Sequence, residues 1–85
     1  MPYIKPHNRE KFANLESELL FAVPSNAGEL NYLFTRIAHM YLTKKGTNYQ
    51  AHNDLIGALE GAKLELYRRK TATYEDKKIE QNGDV

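Results

Sequence analysis

The chain has 85 residues, a formal net charge of +1 from 12 Lys and Arg against 11 Asp and Glu, three histidines and no cysteine. That length admits one small domain with a thin core, and the near-zero charge argues against a general nucleic-acid binder. Without cysteine there is no disulfide framework, and the histidines lack ligand spacing for a metal, so self-association is the remaining support for so small a scaffold.

Taken in order, the chain opens with an arm over residues 1–7, where Pro2 and Pro6 disfavour helix. Met1-Pro2-Tyr3-Ile4-Lys5-Pro6 has no apolar leader character. No segment approaches the ~20 apolar residues of a membrane span, so a cytosolic protein is expected. Helix one is predicted over 8–23, with Phe12, Leu15, Leu19 and Val23 at spacings of three and four, and Pro24 ends it.

Asn26 with Glu29 three residues on has capping-box spacing and opens helix two, 27–43. Leu30, Leu33, Phe34, Ile37 and Tyr41 form its apolar face. Lys44-Lys45-Gly46 then reads as a stop, with cations in the last turn and a glycine free to take a left-handed conformation. Thr47-x-x-Gln50 names Thr47 as the cap of helix three, predicted over 48–80 with a weak point at 71–73 and a tail at 82–85. The fold class is therefore all-α: a single small three-helix domain over 1–85, with an extended arm and a long C-terminal helix, expected to form a homo-oligomer.

Helix three has two apolar edges. Leu55, Leu59, Ala62 and Leu66 line one, and Ile56, Leu64 and Tyr67 lie across the other, with His52, Lys63 and Lys70 between them. Two packing partners explain this better than one. Gly57, Ala58, Gly61 and Ala62 place small residues one turn apart, and each glycine costs about 1 kcal/mol against alanine in a helix interior. They are candidate residues for an oligomer interface; close contact with helix one or two of the same chain, or with a flat ligand, are the other uses.

Asn53, Glu60 and Tyr67 recur every seven residues, with Lys63 and Arg68 beside them. An aromatic ring to stack on a base, an amide and a carboxylate to read donor and acceptor edges, and cations for phosphate make a candidate ligand surface. A solvated hydrogen-bonding stripe is the plainer reading. Tyr32 and Tyr49 join the candidates because each has a polar neighbour at helical or capping distance. No Gly-rich phosphate loop, His-Glu-x-x-His pair or Gly-x-Ser-x-Gly elbow is present, and Ser17 and Ser25 lack an evident base. A non-enzyme without cofactor or metal is expected.

Several segments carry a resemblance: Met1-Pro2-Tyr3-Ile4-Lys5, Gly28-Glu29-Leu30-Asn31-Tyr32, the stretch Asn53 to Arg69, and Tyr74-Glu75-Asp76-Lys77-Lys78 with Asn82-Gly83-Asp84. In these the chain resembles a family of short phage and prophage helical proteins, to which no activity is attached. Leu59-Glu60-Gly61-Ala62 on a long C-terminal helix is also similar to the phage anti-CBASS sponge proteins, although this helix has no tryptophan. That second resemblance implies a helical oligomer that captures a nucleotide-derived immune signal without cleaving it, in the host cytoplasm if a phage encodes it. The expected function is thus sequestration of a small anionic, nucleotide-like ligand, with a structural or protein-interaction module of phage origin as the alternative.

Overall fold

In the computed structural model, which describes residues 2–85, the chain is helical with no strand among the described residues. Met1, placed in the arm by the sequence reading, lies outside them. The fold class is all-α, as three helical stretches.

The first stretch begins at Pro6 rather than at 8. Proline suits the first helical position, where its missing N–H would have no partner anyway. Lys5 precedes it in extended backbone, φ −60° and ψ 145°, and the Asn8 N–H donates to the Lys5 carbonyl at 2.9 Å. Helix α1, Pro6–Arg9, passes through a 3₁₀ turn, Glu10–Phe12, into α2, Ala13–Phe21. Arg9 Nε donates to the Ile4 carbonyl at 2.9 Å and ties down the arm. Ala22 leaves helical geometry at φ −120°, ψ 54°, so α2 ends before the expected 23.

Helix α3 spans Ala27–Lys45. The Glu29 N–H donates to Asn26 Oδ1 at 2.9 Å, and Glu29 Oε1 accepts from the Ser25 N–H at 2.7 Å. The reciprocal cap is thus present, with its return bond one residue earlier than in the usual box. Gly46 follows at φ +84° and ψ 147°, a positive φ that glycine adopts readily, with an extended ψ in place of the left-handed helical one expected.

Helix α4 spans Tyr49–Leu66, and its cap corrects the sequence reading. Asn48, not Thr47, fills the role: the Ala51 N–H donates to Asn48 Oδ1 at 2.9 Å. Asn48 stands immediately before the first helical residue, and asparagine caps at least as well as threonine. Gln50 does not close a box on Thr47; its Nε2 donates to Asp54 Oδ1 at 2.7 Å. A π-helical segment, Tyr67–Thr71, follows α4, and α5, Ala72–Asn82, completes the third stretch. The weak point expected at 71–73 therefore adjoins a widened turn, and helix continues through it. Gly83, at φ +87°, donates its N–H to the Ile79 carbonyl at 2.7 Å.

The chain divides into two units, Tyr3–Leu55 and Ile56–Val85 together with Pro2. In the first, Asp54 joins the end of α3 to the start of α4, accepting from Tyr41 Oη at 3.4 Å as well as from Gln50. Ala51, 3% exposed, is the buried apolar residue among those described, and Ala38, Tyr41, Leu42 and Leu55 are part-buried. The apolar stripes of α2 and α3 instead line an open groove of about 500 Å³, with Leu15, Leu19, Phe34 and Ile37 in its walls. In the second unit Ile56, Leu59, Leu64 and Leu66 are exposed.

Candidate functional site

Helix α4 and the π segment carry most of the candidate ligand residues. Asn53 belongs to the first unit, and Glu60, Lys63, Tyr67 and Arg68 to the second. Lys63 Nζ lies 3.3 Å from Glu60 Oε1, the i,i+3 neighbour its spacing allows. Glu65 holds two cations of the π segment: Arg68 Nη2 sits 3.2 Å from its Oε2 and Arg69 Nε 3.1 Å from its Oε1. The Lys63–Glu60 pair is exposed on both sides and such a pair contributes ~0–1 kcal/mol, whereas Glu65 is part-buried. The consequence of these pairs is local, because Lys63, Arg68 and Arg69 each already have a carboxylate.

Tyr67 Oη donates to Glu75 Oε1 at 2.7 Å. That hydrogen bond, the Glu75 charge, desolvation and the Asp76 charge raise the Tyr67 pKa above the ordinary phenol value of 10.0, since each favours the protonated hydroxyl. A shallow cleft of about 450 Å³ opens beside it, with Glu75, Asp76, Lys78 and Asp84 in its lining. Carboxylates outnumber cations there, so this side of Tyr67 disfavours a phosphate. Arg68, Arg69 and Lys70 are the cations that the π segment itself supplies.

Tyr32 stands on α3 and lines a small hollow with Ala22, Pro24, Glu29 and Leu33. Tyr49, the first residue of α4, is 85% exposed. Tyr32 is the one candidate on α3, whereas Tyr49 and Asn53 stand four residues apart on α4. Of the small residues, Gly57 faces open space, with nothing within 4 Å of where a Cβ would stand. Ala58 and Ala62 are exposed and Gly61 is part-buried.

Two groups escaped the sequence reading. Glu75 was missed because it lies eight residues from Tyr67, about 80° round a regular helix and more than two turns along it; Glu65 could have been read from its i,i+3 and i,i+4 distances to Arg68 and Arg69. The second group is a row of Arg36, His39, Thr43 and Lys44 along α3, beside a hollow of about 410 Å³. Among the described residues no three His, Asp or Glu side chains are placed to hold a metal, and no helix is long and apolar enough to cross a membrane.

The chain belongs to the DUF6899 family, a domain of unknown function, which it matches over residues 1–85. No curated protein and no solved structure matches it.

Proposed function

We propose that the protein is a non-catalytic helical interaction module that works as a homo-oligomer. One observation carries this reading: most of the large apolar side chains on which the helices depend, Leu20, Phe34, Ile37 and Ile56 among them, lie exposed, and Leu33, Tyr41, Leu42 and Leu55 are no more than part-buried. An amphipathic helix draws most of its stability from burying its apolar face, so these faces require cover that a second chain can give. Sedimentation velocity from low to high micromolar concentration tests it. A sedimentation coefficient that rises with concentration, and a melting temperature that rises with it, support the module; a monomer throughout would dismiss it.

A second reading rests on the π segment. Such turns concentrate at functional sites, and this one presents Arg68, Arg69 and Lys70 consecutively beside Tyr67. Capture of a small anionic, nucleotide-derived ligand by an oligomer, in the manner of a phage counter-defence sponge in the host cytoplasm, would use Tyr67, Arg68 and Lys63 with Asn53 and Glu60. The ligand would have to draw Arg68 from Glu65 and displace Tyr67 from Glu75. Native mass spectrometry of protein isolated from signal-producing cells tests this, an intact small ligand on wild type and none on Tyr67→Ala being the supporting result. A structural or protein-interaction role needs no such exchange of partners, which is why the first reading is preferred.

A further inference from the structure

We infer that the groove between α2 and α3 is the face on which two copies of this chain associate, the two helices of each copy lying against the groove of the other about a two-fold axis. This rests on the oligomer reading above and assigns the surface that carries it.

The occupant follows from composition, area and charge. Leu15, Leu19, Leu30, Phe34, Ile37 and Met40 line the groove, and Arg36 is its one charged residue. Its eight large apolar residues that are more than a third exposed leave on the order of 900 Å² uncovered, taking roughly 200 Å² for each when free. A standard interface takes about 800 Å² from each partner. One further α2–α3 segment of the same size therefore covers the groove.

Charge selects the copy. Helix α2 carries Glu16 and Glu18 and no cation, whereas α3 beyond Glu29 carries Arg36, Lys44 and Lys45 and no carboxylate. In a two-fold pairing α2 of each chain lies on α3 of the other, so the acidic helix meets the basic one twice. Such rim charges govern register and partner choice more than raw affinity. The Asn26–Glu29 cap after the break between α2 and α3 fixes the start of α3, and four helices joined in short-looped pairs form a familiar bundle.

The test uses the full-length chain in sedimentation equilibrium, with helicity followed by circular dichroism. Ile37→Glu should weaken association at least 100-fold. Because that variant can also lose helix, two charge variants accompany it: Glu16→Lys with Glu18→Lys, and Arg36→Glu with Lys44→Glu. Each alone should self-associate about ten-fold less tightly, and their equimolar mixture should form a heterodimer at least as tight as wild type. Wild-type association that survives Ile37→Glu unchanged, or a mixture no tighter than its components, overturns the assignment of this face while leaving the oligomer intact. A wild type that never associates overturns the oligomer reading itself.

Discussion

Tyr67 and Glu75 stand eight residues apart and share a 2.7 Å hydrogen bond. In a regular helix residues at that separation point about 80° apart. The π segment between them, Tyr67–Thr71, adds a residue to one turn and swings Glu75 back beneath the ring. Backbone irregularity and side-chain pairing thus belong to one feature.

The titration of Tyr67 should report that pairing. Its folded pKa is raised above 10.0 by the Glu75 hydrogen bond and charge, so its contribution to stability is complete below that value and is lost as pH rises through the folded pKa. Tyr67→Phe should melt below wild type at neutral pH, and the gap should close as the solution passes above pH 10.0. Glu75→Gln should bring the ionisation of Tyr67 down towards the ordinary value. Phenolate absorbance, taken as a difference from Tyr67→Phe, measures both. A Tyr67 that ionises at the ordinary value in wild type would remove the pairing.

Asn48→Ala should cost about 1 kcal/mol in chemical denaturation, the usual loss when a capping side chain is removed, because the Ala51 N–H loses its acceptor. Thr47→Ala should stay within about 0.5 kcal/mol. Protein concentration must be held fixed in the comparison, since association shifts apparent stability. The reverse ranking would restore Thr47 as the cap.

Gly57→Ala should raise stability by about 1 kcal/mol, because the added Cβ meets nothing within 4 Å in the chain. Gly46→Ala should lower it, since Gly46 holds φ +84° and alanine is strained there. If Gly57→Ala instead destabilises the oligomer, a second chain approaches this helix at Gly57, and the small-residue stripe is an interface alongside the α2–α3 groove.

How much of this was legible depended on the range of the interaction. Asn26 with Glu29 was readable because a cap is settled within four residues, and the stripes of α2 and α3 because periodicity alone places them on one face. Thr47 misled because two capping residues stand side by side, and spacing alone does not say which precedes the first helical turn. Glu75 was hidden because its link to Tyr67 exists only across a π turn. The doubled edge at Leu59 and Ile56 was legible as periodicity, but not what covers it, since one sequence shows such a face only as exposed apolar residues.

The π segment offers the sharpest separation of structure from function. Deleting Lys70 should convert the widened turn to ordinary α-helix and leave Tyr67 and Glu75 seven residues apart, about 20° from alignment over two turns. The hydrogen bond, the raised ionisation of Tyr67 and the helicity should all survive, with thermal stability equal to wild type or above it. Inserting alanine after Lys70 should do the opposite, carrying Glu75 roughly a quarter-turn away and releasing Tyr67 towards its ordinary pKa. If the deletion variant keeps fold and assembly but loses a ligand that wild type retains in native mass spectrometry, the irregular turn serves capture. If it keeps the ligand too, the π turn plays no part in binding, and the row of Arg36, His39 and Lys44 on α3 is the next cationic surface to test.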